Sequence, residues 1–97
     1  MMYLVTTELT ARAADQYGDL ERAVKAIGNW SNRVKGQWIV ESNRFNAAQI
    51  RDLLKPHIVA DKDRLFVGRI TRNWAGTNMG TGFQEWMNRR EFDQPKR

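Results

Sequence analysis

Two residues near the middle of the chain, Lys35-Gly36, separate the run Trp30 to Val34 from the run Gln37 to Glu41. A two-residue connection containing Gly reaches the positive φ of a tight hairpin without steric cost, so these runs read as an antiparallel pair. A helical pattern lies on each side. Before the hairpin, Tyr17, Leu20, Val24 and Ile27 recur at spacings of three and four, with Gly28 standing where a C-terminal cap belongs. After it, Asn46 is placed to cap a second helix, Gln49 follows three residues later as in a capping box, and Phe45 is placed to staple onto Ile50. Leu53 and Leu54 continue that apolar face and Pro56 ends it. Outside the helices, the apolar and β-branched run Met2 to Thr7 reads as a buried first strand, and Arg64 to Thr71 as a fourth. The resulting class is α+β: a ferredoxin-like βαββαβ antiparallel sheet with two helices on one face.

A chain of 97 residues has room for one core. Residues 1 to 92 read as a single domain and Asp93 to Arg97 as a frayed, disordered tail. Asn73 to Gly82 holds three Gly and two Asn and is a loop. In the segment Phe83 to Arg90 that follows, Phe83, Trp86 and Met87 fall at helical spacing, which predicts a short C-terminal helix docked on the sheet or on a partner subunit. Two helices cover one face of the sheet only, so the other is expected to serve dimerisation or ligand binding. The chain has no Cys, hence no disulfide framework and no thiolate metal site. No apolar run approaches the ~18 residues a membrane helix needs, and the start Met1-Met2-Tyr3-Leu4-Val5 lacks the basic region of a signal peptide. A cytoplasmic protein without a membrane partner is expected.

Sixteen Lys and Arg stand against 11 Asp and Glu, a formal net charge of +5. The surplus favours an anionic partner; its competing explanation is solubility alone. Arg33 and Lys35 lie at the hairpin, Arg69 and Arg72 around the end of the fourth strand, and Arg89, Arg90, Lys96 and Arg97 in the tail. Trp38, in a central strand, and Trp86, on an apolar helix face, belong to a core or interface. Trp74, between Asn73 and Ala75-Gly76 and close in sequence to Arg69 and Arg72, either anchors its loop or contacts a partner. The lone His57 follows Pro56 at a helix end, where a capping or part-buried imidazole is commoner than a catalytic one, and no nucleophile stands beside it. Gly76 to Gly82 has neither the Lys of a Walker loop nor the setting of a dinucleotide fingerprint.

Tyr3-Leu4-Val5-Thr6-Thr7-Glu8-Leu9, the helix Leu20 to Ile27 ending in Gly28-Asn29-Trp30, and Gln37-Trp38-Ile39-Val40-Glu41 resemble a group of small bacterial SinR-like proteins. The likeness continues through Gln49 to His57, Asp63 to Val67 and Asn73 to Gly76. In layout these in turn resemble the ferredoxin-fold "Cas-two" proteins of CRISPR adaptation. The resemblance implies a symmetric homodimer meeting through its sheets, a basic surface for duplex nucleic acid and, in some members, a metal-dependent nuclease. The nuclease members carry an Asp at the end of the first strand; the matching position here is Glu8. One such carboxylate from each subunit would share a hard cation such as Mg²⁺, with Glu8 as both metal ligand and catalytic residue. The competing reading of Glu8 is a solvated strand-end residue.

Two functions of different classes are therefore expected. In the first, a homodimer associates with DNA or RNA, Arg33, Lys35, Arg69 and Arg72 neutralising phosphates, with a degenerate or weak metal-dependent endonuclease or endoribonuclease activity; for a ribonuclease the candidate groups are Glu8, His57, Asp61 and Asp63. In the second, a non-catalytic protein-interaction module, a component or inhibitor of a mobile-element or defence system, holds a protein partner through Asn73 and Trp74.

Overall fold

The computed structural model describes residues 1–93; the part of the expected tail from residue 94 onward lies outside the described residues. Strand β1 spans Met2–Glu8, followed by a 3-10 turn, Ala14–Tyr17, that leads into helix α1, Gly18–Lys25. Strands β2, Trp30–Val34, and β3, Gln37–Glu41, form the hairpin. Helix α2 spans Ala47–Leu54 and runs into a 3-10 turn, Lys55–His57; strand β4, Arg64–Ile70, and helix α3, Phe83–Asn88, complete the fold.

The sheet order is β2-β3-β1-β4, with every neighbouring pair antiparallel. β1 and β2 therefore run parallel with β3 inserted between them, and β3 and β4 run parallel with β1 inserted. That is the split βαβ arrangement of the expected α+β class. The hairpin turns on Gly36 at φ +75°, and an added Cβ there would stand 2.7 Å from the Thr7 carbonyl oxygen. At the start of α2, the Asn46 side chain accepts from the Gln49 N–H and the Gln49 side chain accepts from the Asn46 N–H, both at 2.9 Å, closing the capping box.

Helix α1 ends earlier than the periodicity suggests, capped at Ala26 in a right-handed conformation. Gly28 therefore is not its cap. It is needed because the backbone of β3 crosses close by, and a Cβ at this position would collide with the Glu41 carbonyl oxygen.

The pleat sorts the sheet into two faces. Tyr3, Val5 and Val40 point toward α1 and α2 and are buried with Leu20, Val24, Ile50 and Leu54. On the opposite face Met2 is buried with Phe83, Met87 and Phe92, and Ile39, Ile70, Trp74 and Met79 pack against them. The short C-terminal helix thus docks on its own sheet, and the second face is not bare as two helices alone would leave it. The cover is partial: it lies over the Met2 end of β1, whereas on the same face Phe66 stays 64% and Val34 42% exposed. No helix among the described residues is long and apolar enough to cross a membrane.

Candidate nucleic-acid interface

The four cations expected to meet phosphate fall into two groups at opposite ends of the sheet. Arg33 and Lys35 flank the hairpin, whose Gly36 carbonyl accepts from the Thr7 N–H near the end of β1. Arg69 pairs in register with Tyr3, at the beginning of β1, and Arg72 follows just beyond. At ~3.4 Å per residue, Tyr3 and Thr7 are about 14 Å apart along the strand.

Their partners decide how much charge each presents. Arg33 donates to the Thr81 carbonyl oxygen at 3.2 Å and Arg69 to that of Phe92 at 3.0 Å, neutral acceptors that position each guanidinium without cancelling its charge. Lys35 has no carboxylate within ion-pair distance among the described residues. Arg72 differs: its Nε donates to the Asp93 carboxylate at 3.2 Å and its guanidinium lies over the Phe92 ring, 5.4 Å from the centroid. Arg69 and Arg72 together hold the end of the C-terminal segment.

Glu41 fastens the same segment from the sheet side. Its carboxylate accepts from the Asn29 amide at 2.9 Å and the Glu91 N–H at 2.5 Å, and Arg90 stands at 3.6 Å. Burial disfavours the ionised form, but the Glu91, Asn29 and Arg90 donors outweigh it and hold the pKa below the ordinary 4.5.

Within one chain no metal site assembles around Glu8 among the described residues. Glu8 sits at the end of β1 in register with Arg64, and their ion pair, at 3.6 Å, is largely exposed. A dication here would meet one carboxylate per subunit, each with a guanidinium beside it, whereas Mg²⁺ favours several oxygen ligands at short range. Among the described residues no group of three or more His, Cys, Asp or Glu is placed to hold a metal. Glu8, paired with Arg64 and outside any such group in its own chain, does not fit the Mg²⁺ site that the resemblance implies.

Of the remaining acid-base candidates, Asp63 has a structural role. Asp63 accepts from the N–H groups of Thr10, Ala11 and Val59, at 2.9, 3.1 and 2.9 Å, and from the Tyr17 hydroxyl at 2.8 Å. Burial raises its pKa, but these four donors outweigh that effect and bring it from 3.8 to about 2. A carboxylate so occupied neither takes up a proton near neutrality nor has lone pairs to spare for a metal. Tyr17 is shifted upward, first by burial and then by donating to Asp63. Asp61 is exposed at a left-handed position, φ 68°, in the turn before β4. His57 ends the turn after α2 and makes no hydrogen bond to Glu8, Asp61 or Asp63.

Trp74 is an anchor. Its ring meets Phe83 edge-on, with centroids 5.7 Å apart and an interplanar angle of 89°. It belongs to the cluster under α3, and beside it the Asn73 N–H donates to the Thr71 hydroxyl at 3.2 Å on the exposed surface of the loop. Trp38 packs against the helix-side core and meets Trp30 edge-on at 5.5 Å, while Trp86 joins the cluster around Phe83.

Phe66 is the residue that sequence reasoning passed over. Leu65 and Val67 pack on the helix side, so alternation along β4 sends Phe66 to the other face, beyond the reach of α3. The signal was present: Leu65, Phe66 and Val67 are consecutive apolar residues, and a strand at a sheet edge cannot bury all three on one face.

No family model, no curated protein and no solved structure matches the chain.

Proposed function

We propose that this protein is a nucleic-acid-associated homodimer that binds through the charge of its hairpin and of the end of β4. The observation that carries the reading is that Arg33, Lys35 and Arg69 keep their charge uncompensated after folding, the two arginines held by carbonyl oxygens. The surplus of +5 is thereby partly displayed on ordered side chains at both ends of one sheet. Likeness in layout to the SinR-like and "Cas-two" proteins supports the homodimer. The protein-module reading loses its main support, because Trp74, the side chain meant to hold a partner, is engaged with Phe83.

The test is equilibrium binding of labelled DNA and RNA at low salt, with sedimentation for subunit number. Binding by a dimer, weakened by Lys35→Ala and by Arg69→Ala, is the expected result; a monomer that binds neither nucleic acid overturns the proposal. Products run on a denaturing gel with Mg²⁺ and with EDTA test Glu8. No cleavage that depends on Glu8 is expected, and Mg²⁺-dependent cleavage lost on Glu8→Gln would restore the nuclease reading.

A further inference from the structure

The open half of the second sheet face is built in rows. Val34 pairs with Gln37, Gln37 with Thr6 and Thr6 with Phe66, so one row crosses all four strands with its two exposed apolar side chains at the ends. The next row carries Glu8 opposite Arg64, and the row on the other side places Leu4 opposite Gly68. Between Glu8, Arg64, Thr6 and Phe66 lies a shallow groove of about 510 Å³.

Gly68 sets the posture of the aromatic ring. A Cβ at this position would stand 3.0 Å from Phe66 Cε2. The Phe66 ring therefore leans along β4 over the glycine, using the space that any other residue would occupy. Gly68 is not among the positive-φ glycines, so the backbone does not require Gly here, whereas the ring's position does.

We infer that this face binds single-stranded nucleic acid, with an unpaired base stacked on Phe66 and the adjoining phosphate met by Arg33, whose guanidinium is held on this side of the sheet by the Thr81 carbonyl oxygen. The inference rests on the proposed association with nucleic acid, specifies the strand state of the ligand, and requires the two subunits to meet through a surface other than this face. Its chemistry follows from the composition of the row. A protein–protein interface gathers contiguous apolar area and depletes charge at its centre. Here Gln37 and Thr6 separate Phe66 from Val34 along the row, and the paired Glu8 and Arg64 occupy the next one, leaving an isolated exposed ring in a polar setting. An unpaired base has a π-face to stack on such a ring, whereas a base within a duplex is already stacked and paired. The net charge of +5 supplies the complement to the backbone phosphates.

The experiment compares a labelled 12-nucleotide single strand with its own duplex, using wild type, Phe66→Ala, Phe66→Tyr and Gly68→Val. The single strand is expected to bind more tightly than the duplex. Phe66→Ala should weaken single-strand binding about tenfold, within the range for one aromatic-base stack. Phe66→Tyr should retain the affinity and Gly68→Val, which displaces the ring, should weaken it. Thermal melting of Phe66→Ala should match wild type, since the ring is mostly exposed. Binding that is unchanged by Phe66→Ala, or that favours the duplex, overturns the stacking site and leaves the proposed function standing. Absence of binding to either form defeats the proposed function itself. Conversion of a dimer to a monomer by Phe66→Ala assigns this face to a second copy of the chain and overturns the inference.

Discussion

Asp63 shows how a residue chosen for chemistry turns out to be a fastener. Its four donors come from the β1–α1 connection, from Tyr17 and from the turn before β4, so one carboxylate joins loops some fifty residues apart in sequence. Asp63→Ala leaves Thr10, Ala11 and Val59 N–H groups without their acceptor and should lower the melting temperature by several degrees. The folded pKa, about 2, lies below the ordinary 3.8. The ionised carboxylate therefore stabilises the fold fully above pH 4, and that contribution is lost as pH falls from about 4 through about 2. A stability–pH profile of wild type should drop in this window, and the Asp63→Ala profile should lack that part of the drop. None of this could be read from Asp61-Lys62-Asp63 as a sequence, because the donors are brought in by tertiary structure. Gly28 is a related case. A glycine after an apolar helix face suggests a cap, yet its reason is the Glu41 carbonyl across the chain. Gly28→Ala should destabilise by about 1–3 kcal/mol, the usual cost of forcing an atom into packed space, as measured by denaturant unfolding.

Elements defined by local chemistry were legible, whereas the docking of one element on another was not. The hairpin followed from Lys35-Gly36 and the start of α2 from Asn46 and Gln49, since both depend on residues within four positions of one another. Asn46→Ala should cost about 1 kcal/mol in unfolding free energy through loss of the cap. Helix α3 was expected from Phe83, Trp86 and Met87, but its spacing alone does not distinguish docking on its own sheet from docking on a partner. The structure resolves this through Met2, Ile39 and Ile70 beneath the helix and Glu41, Arg69 and Arg72 holding the segment after it. Because Glu41 titrates below its ordinary value, its hold is complete above about pH 4.5 and lost as pH falls below that. Glu41→Gln should loosen the segment at neutral pH, and hydrogen exchange should show faster amides over 83–92 with β1 and β3 unchanged.

At the scale of the whole molecule, charge and shape make a consistent account. A sheet with helices on one face and a partial cover on the other leaves a row of four residues open, and cations stand at both ends of the sheet. Counting cations in sequence singled out Arg33, Lys35, Arg69 and Arg72 alike, but it could not show that Arg72 is paired with Asp93. The most direct test is the salt dependence of binding to a single-stranded oligonucleotide. If Arg33, Lys35 and Arg69 each neutralise one phosphate, the logarithm of affinity should fall against the logarithm of salt with a slope of about −2, and Lys35→Ala should make it shallower by about 0.7. A slope near zero, or one that neither Lys35→Ala nor Arg69→Ala alters, would contradict the assignment of this surface to nucleic acid.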